Sequence, residues 1–207
     1  MTASCQDVGV VNFGCVFLAR HGQTEWNREG RRQGQLDSPL TARGWNHARA
    51  LASYARTLTI DGLLCSPLGR AQVTARVCSD TLGMELVVLD ELAEVHHGVM
   101  AGMTNDEIDV AFPGQLAARR RDPYSWRFPD GESYADADHR AGLALAVAAE
   151  RGYHHPLIVS HEMIGRMLLR NLLEWPPDKA LPTQQPHTIM LEVLPESGSV
   201  HRLEVGA

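Results

Sequence analysis

The chain of 207 residues has a formal net charge of −6, with 44% hydrophobic and 21% charged residues, the proportions of a folded globular protein rather than a disordered or fibrous one. Its length suits one α/β domain with a substantial core, whereas two domains would each be small. The acidic balance gives no global basic field for nucleic acid or an anionic membrane surface, so an anionic ligand has to be held by a local cluster of arginines.

Met1 to Gly14 lacks the basic start and long apolar centre of a signal peptide. It reads as a loose tail (residues 1–14) ahead of a domain over residues 15–207, in a protein expected in the cytoplasm. No stretch approaches the ~18 apolar residues of a membrane span. Cys5, Cys15, Cys65 and Cys78 are scattered without metal-ligand spacing and read as free thiols.

The apolar run Val16 to Ala19 has the length of a buried strand, and it brings Arg20 and His21 to its carboxyl end just before Gly22. That edge is where open α/β sheets keep their ligands. Residues 22 to 39 read as a long rim loop, of a length that is usually functional. Thr41 reads as the N-cap of a helix to about Arg56, with Trp45, Ala48, Leu51, Ala52 and Ala55 at helical spacing. Leu63-Leu64-Cys65 makes a second strand, and Ser66-Pro67 is expected to restart a helix, the serine as cap and the proline at the first helical position. Arg70 then falls in that helix's first turn, and Glu85 to Leu89 reads as a third strand.

Residues 90 to 131 read as an irregular half. Thr104 and Glu107 have capping-box spacing and open a short helix that Phe112-Pro113-Gly114 interrupts. The run Arg119-Arg120-Arg121 looks like part of a surface excursion over the site. Ser133 with Asp136 starts a long helix to about Arg151. Leu157-Ile158-Val159 is the next strand, ended by Ser160-His161; a helix with Met163, Met167, Leu168 and Leu172 follows, then a Pro-rich stretch over 176–186 and two alternating strands from about Thr188 to Val205. Strands alternating with helices predict a single-domain α/β fold, a mostly parallel sheet flanked by helices on both faces and antiparallel at one edge.

In such a fold the junctions carrying Arg20-His21, Arg70 and His161 converge on one rim, which brings two arginines and two histidines together. That set suits a phosphoryl group: guanidinium forks hold its oxygens and a neutral imidazole nitrogen can attack phosphorus. The string Arg20-His21-Gly22-Gln23-Thr24-Glu25-Trp26-Asn27 closely resembles the signature of the histidine phosphatase superfamily, the phosphoglycerate mutase-like proteins. The likeness continues in the family's order through residues 34–41, Ser66 to Ala71, Glu94, Pro129 to Ser133 and Ser160-His161.

The resemblance implies a phosphoglycerate mutase-like fold in which His21 is the nucleophile, Arg20, Arg70 and His161 bind the phosphoryl oxygens, and Glu94 gives the leaving group its proton. It places Asn27 and Gln35 around the phosphate or substrate. It also implies no cofactor, no metal, and a small phosphorylated metabolite as the partner; nucleic acid and membrane are not expected, and a homodimer is left open. The family usually has glycine after the second histidine, whereas this chain has Glu162. Glu162 is therefore placed with the substrate-binding residues, either sharing proton donation or pointing away as a helix N-terminal acid. Arg31, Arg32 and Arg119 to Arg121 are candidates for a second anionic group of the substrate, and His187 is a further pocket candidate. His96-His97 and His154-His155 do not read as metal ligands, because adjacent residues in extended structure point apart.

The mutases of the family carry a longer basic insertion before the second histidine. Arg32 to Asp37 in this chain looks like the phosphatase branch, so hydrolysis of a phosphomonoester is the first reading. A mutase-type phosphotransferase and a non-catalytic phosphate-ligand-binding regulator are the alternatives.

Overall fold

Four short apolar runs and two alternating ones assemble into one six-stranded sheet in the computed structural model, which describes residues 13–206. The strands are β1 (Val16–Arg20), β2 (Gly62–Cys65), β3 (Leu86–Val88), β4 (Pro156–Ser160), β5 (Ile189–Leu194) and β6 (Ser199–Glu204), in the order β3-β2-β4-β1-β5-β6. The pairs among β1 to β4 are parallel, while β5 runs antiparallel to β1 and β6 antiparallel to β5. Continuous apolar strands are those that can be covered on both faces. Accordingly β1, β2 and β4 lie in the interior of the sheet and are almost wholly buried.

The pleat of β1 sends Phe17 and Ala19 to one face and Val16 and Leu18 to the other. On the first face they meet Leu51, Ala52 and Ala55 of α2 (Ala42–Ala55) and Ala75 and Cys78 of α3 (Gly69–Leu82). On the second they meet Ala141, Ala144 and Ala148 of α6 (Tyr134–Glu150) and Ile164, Met167 and Leu168 of α7 (Glu162–Leu173). Each fully buried Leu, Ile or Met of these layers stabilises the fold by about 1.5–3 kcal/mol relative to an exposed one. Burial pushes the thiols of Cys15, Cys65 and Cys78 up to about 12, which leaves them free and inert, while Cys5 lies outside the described residues.

Several local expectations change. The rim loop contains α1 (Glu25–Glu29), closed by a capping box between Thr24 and Asn27. α4 (Asn105–Ala111) opens on the expected Thr104–Glu107 capping box, but the arginine run after it is also helical, as α5 (Gln115–Arg121), and the Pro-rich stretch holds the single turn α8 (Pro177–Ala180). Ser66 does not cap α3. That helix begins at Gly69, and its first amides are received by a remote carboxylate: Gly69 N–H donates to Asp37 Oδ2 at 2.6 Å and Arg70 N–H to Asp37 Oδ1 at 3.3 Å. Trp45 belongs to the outer face of α2, 40% exposed beneath Arg49, and the helix's buried stripe runs instead through Gly44, His47 and Ala48. Of the expected tail, residues 1–12 lie outside the described region, whereas Phe13 is buried in the core and Gly14 N–H donates to His154 O at 3.0 Å.

One packing contact fixes the turn after β1. Gly22 and Gly44, in the first turn of α2, are pressed together through their backbones: a Cβ on Gly22 would collide with the Gly44 carbonyl, and a Cβ on Gly44 with the carbonyl of Gln23. Thr41 locks the approach, its N–H donating to Gln23 O at 2.9 Å while its hydroxyl accepts from Gly44 N–H at 3.0 Å. Gly44→Ala is therefore expected to lower the free energy of unfolding by about 2 kcal/mol or more. Urea unfolding checks this, and an unchanged midpoint would show that the two backbones can separate at no cost.

Candidate active site

Because β2, β4 and β1 are neighbours and parallel, their carboxyl ends open onto one rim. The backbone carries the ladder one residue past each strand: His21 N–H donates to Ser160 O at 3.0 Å and Ser66 N–H to Val159 O at 3.1 Å. Arg20-His21, Ser66 and Ser160-His161 are thus held side by side by sheet hydrogen bonds. Thr74 of α3 ties in the adjacent turn, its hydroxyl accepting from Gly22 N–H at 3.0 Å and donating to Arg70 O at 2.8 Å.

His21 is 2% exposed. Its Nδ1 lies 2.8 Å from the carbonyl oxygen of Gly22 and must donate to it, so the lone pair belongs to Nε2. Arg70 Nε–H donates to that Nε2 at 3.3 Å. Burial, then the Arg70 charge, holds the imidazole well below its ordinary pKa, so it is neutral. His161, with its ring centroid 5.1 Å away, is also held neutral by burial and Arg70.

The tautomer of His161 follows from Ser66. The Ser66 hydroxyl oxygen accepts from Leu68 N–H at 3.2 Å and lies 2.7 Å from His161 Nε2. Ser66 is fully buried and its hydroxyl proton has no other acceptor among the described residues, so that proton goes to Nε2 and His161 carries hydrogen on Nδ1. That Nδ1 is buried and has no partner among the described residues, and the same is true of Arg20 Nε. Two buried donors without partners, in the cluster that contains His21, fit an anion, because such groups are costly to leave unsatisfied.

Each guanidinium is fixed from behind. Arg70 Nη1 donates to Leu36 O at 2.7 Å and pairs with Asp37 at 2.8 Å, and its Nη2 donates to Gly34 O at 2.7 Å. Arg20 Nη1 pairs with Glu162 Oε2 at 2.9 Å and donates to Gln185 O at 3.4 Å. The rim loop thus serves Arg70, while α7 and the segment after it serve Arg20.

Glu94 is 7% exposed and sits at the amino end of α7. Met163 N–H donates to its Oε2 at 3.2 Å, and the N–H groups of Ile164 and Val95 donate to its Oε1 at 3.0 Å each. Its charge acts on both Arg20 and Arg70, so the carboxyl group faces the same cluster. Gln35 Nε2 donates to the Glu94 carbonyl at 3.1 Å, which makes Gln35 a support of that segment. Asn27 Oδ1 is occupied by the N–H and hydroxyl of Thr24, both at 3.1 Å, within the α1 capping box. Gln33, which the motif reading passed over, also donates to Thr24 Oγ1 at 2.8 Å and has a buried Oε1 with no partner among the described residues.

The remaining basic candidates separate. Arg31 faces outward, paired with Glu107 at 2.7 Å. Arg119 lies 5.4 Å over the ring of Phe128 and 5.9 Å over that of Tyr134. With Arg120, Pro123, Tyr134, Arg166 and Leu181 it lines an open cleft of about 210 Å³. His187 reaches the site: its Nδ1 donates to the His21 carbonyl at 2.6 Å and its ring centroid is 5.4 Å from that of His21. His96 Nδ1 accepts from Gly98 N–H at 3.0 Å while His97 Nε2 meets Met163 Sδ at 3.2 Å, so the two rings diverge. The amides of His154 and His155 are gathered by Asp61. Among the described residues no group of His, Cys, Asp and Glu is placed to hold a metal ion. His187 stands where the sequence places a further pocket candidate, whereas the supporting roles of Ser66, Asp37 and Gln185 are not legible in the signature; only the position of Ser66 immediately after a strand, at the rim, could have flagged it.

The buried imidazoles give the fold an acid sensitivity. His21 and His161 are held well below the ordinary value, and burial pulls His97 and His187 down to about 3. Unfolded histidines take up a proton near pH 6.5 while these remain neutral when folded, so below that pH protons favour the unfolded chain. Their contribution is complete above about pH 6.5 and is lost as the pH falls, by up to about 1.4 kcal/mol per pH unit for each histidine. Urea midpoints measured from about pH 8 to 5 are expected to hold steady and then drop below about pH 6.5; a flat profile would mean that the imidazoles are not buried in neutral form.

The profile of the Histidine phosphatase superfamily (branch 1) matches residues 16–205. A probable phosphoglycerate mutase GpmB of Enterobacter sp. (strain 638) is 39% identical over 163 residues, covering 78% of this chain and 75% of that protein. The mycobacterial glucosyl-3-phosphoglycerate phosphatase, solved with VO3, is 28% identical with a TM-score of 0.76, covering 86% of this chain and 92% of that one. A crystal structure assigned as an alpha-ribazole-5'-P phosphatase from Escherichia coli has the same fold, with a TM-score of 0.81 over 95% of this chain and 97% of that one at 24% identity. With the signature, the strand order and nearly the whole length matched, the chain belongs to branch 1 of the histidine phosphatase superfamily.

Proposed function

We propose that this protein is a metal-independent phosphatase that hydrolyses a small organic phosphomonoester through a phosphohistidine on His21. The observation that carries the reading is the state of His21: neutral, its Nδ1–H spent on Gly22 O and its Nε2 lone pair turned to Arg70 Nε–H, in a cluster where Arg20 Nε and His161 Nδ1 are buried without partners among the described residues. In the proposed reaction Nε2 attacks phosphorus in line, the P–N bond forms, and the ester P–O bond breaks. Arg20, Arg70 and His161 counter the charge on the equatorial oxygens. Glu94 gives its proton to the departing alkoxide, then as carboxylate takes one from the water that attacks the phosphohistidine, and orthophosphate leaves. The amides of α7 that hold Glu94 keep it aimed through both half-reactions. The arginine-lined cleft beside the pocket supports a substrate that carries a second anionic group.

A mutase-type phosphotransferase is the second reading, favoured by the 39% identical relative of that name. It differs in returning the phosphoryl group to an organic acceptor instead of water, and it would need a bisphosphorylated primer for activity. Orthophosphate release from a panel of phosphomonoesters, with and without such a primer and with no metal added, separates the two. His21→Ala is expected to abolish release, and Glu94→Gln to lower kcat by about 10²–10⁴-fold. Silence toward every ester in both conditions would move the weight to a non-catalytic ligand-binding protein.

Ser66→Ala is expected to reduce kcat/KM by about ten- to a hundredfold through loss of the His161 tautomer, a misplacement rather than a lost contact. Full activity in this variant would show that His161 is oriented without it.

A further inference from the structure

The signature does not account for Glu162, which stands where the family usually has glycine. Its carboxylate spans two guanidinium groups, Oε2 at 2.9 Å from Arg20 Nη1 and Oε1 at 3.1 Å from Arg166 Nη2. Both oxygens are engaged by guanidinium groups, which ties the Glu162 side chain to the two arginines. All three side chains are largely shielded, at 17%, 26% and 19% exposure for Arg20, Glu162 and Arg166. Arg166 is itself pinned, its Nε donating to Thr183 O at 2.7 Å and its Nη1 to Tyr134 Oη at 2.8 Å. Glu162 therefore hangs between a fixed guanidinium and Arg20.

The side of Arg20 that it holds matters. Glu162 and the Gln185 carbonyl both take Nη1. The bidentate edge of a guanidinium that includes Nε is formed with Nη2, and Nε is the buried donor without a partner. Glu162 grips Arg20 from the back and leaves the phosphate-binding fork facing the pocket. Burial draws the Arg20 guanidinium below its ordinary pKa, and the Glu162 carboxylate is the leading charge that opposes this. Removing it would leave the Arg20 and Arg166 charges without the counter-ion they share and free Arg20 to turn.

We infer that Glu162 is a positioning residue for phosphoryl recognition: it aims the Nε–Nη2 edge of Arg20 into the pocket and anchors that aim to Arg166 at the neighbouring cleft. The inference rests on the proposed role of Arg20 as a phosphate ligand.

The sign of the effect decides the matter. A carboxylate that was merely close to the phosphate would repel it, and its removal would tighten binding; loss of aim weakens binding in spite of the gained positive charge. Inhibition of p-nitrophenyl phosphate hydrolysis by orthophosphate and orthovanadate is to be measured, with direct binding of both ions by calorimetry, for the wild type, Glu162→Ala, Glu162→Gln, Arg20→Ala and the Arg20→Ala/Glu162→Ala pair. Glu162→Ala is expected to weaken both ions by about tenfold, orthovanadate the more, whereas Glu162→Gln, which keeps an acceptor for Nη1, stays within about threefold of wild type. In the Arg20→Ala background Glu162→Ala is expected to change nothing further.

Tighter binding in Glu162→Ala, equal losses in the Ala and Gln variants, or an undiminished loss without Arg20 would each overturn the inference. Ion binding that Arg20→Ala leaves untouched would overturn the phosphate-site reading as well, which separates the two failures.

Discussion

Two guanidinium groups buried beside two imidazoles form an arrangement that repels itself, and the rest of the site is built to hold it together. Desolvation and the neighbouring arginine charge work in the same direction on His21 and His161, keeping both neutral. The arginines need compensation that does not occupy the pocket, and each obtains it from behind. Arg70 has Asp37 and the carbonyls of Gly34 and Leu36; Arg20 has Glu162 and the carbonyl of Gln185. The rim loop and the start of α7 can accordingly be understood as counter-charge supplied to a cationic cluster. Asp37 serves twice, because the carboxylate that neutralises Arg70 also receives the first amides of α3, the helix that carries Arg70.

The same constraint explains the close backbone packing around Gly22. An imidazole whose tautomer depends on a single carbonyl of the next residue requires that carbonyl to stay still. The Gly22–Gly44 approach, the Thr41 clasp and the hydrogen bond from Thr74 surround the turn on the helix side, and the ladder to Ser160 holds it on the sheet side. His187 adds a further restraint by donating to the carbonyl of His21 itself. Positioning of a reacting atom to within a fraction of an ångström requires such redundancy, since a displacement of about 1 Å is enough to lose ~10²-fold in rate.

The strands and the long helices were legible because their signals are local. Short apolar runs bounded by turn residues, cap residues at fixed offsets and a single period of hydrophobicity identify β1, β4, α2 and α6 without reference to anything distant. The motif residues were legible for a related reason, since Arg20, His21 and His161 sit at a strand end and Arg70 in the first turn of the helix that follows one. The features that escaped depend on contacts between segments far apart in the chain. Ser66 reads as a cap until His161, 95 residues away, takes its proton. The remote capping of α3 by Asp37 removes the need for a local cap, so the rule that placed one at Ser66 misplaced the helix start. The α5 turn escaped because an arginine run between Pro-Gly and Asp-Pro carries no apolar stripe; only Leu116 of that helix is buried.

The amino end of α7 shows how one helix terminus divides its work between two carboxylates. Glu94, arriving from another segment, takes the amides of Met163 and Ile164. Glu162, the first residue of the helix, cannot reach those amides and turns instead to Arg20 and to Arg166 four residues on. With a glycine in its place the helix would keep its contact with Glu94 but lose the link to Arg20. The carboxylate proposed for proton transfer and the one that balances the charge of Arg20 are thus different residues meeting at one helix turn, and a change at position 162 removes the Arg20 contact while leaving the hydrogen bonds that hold Glu94 in place.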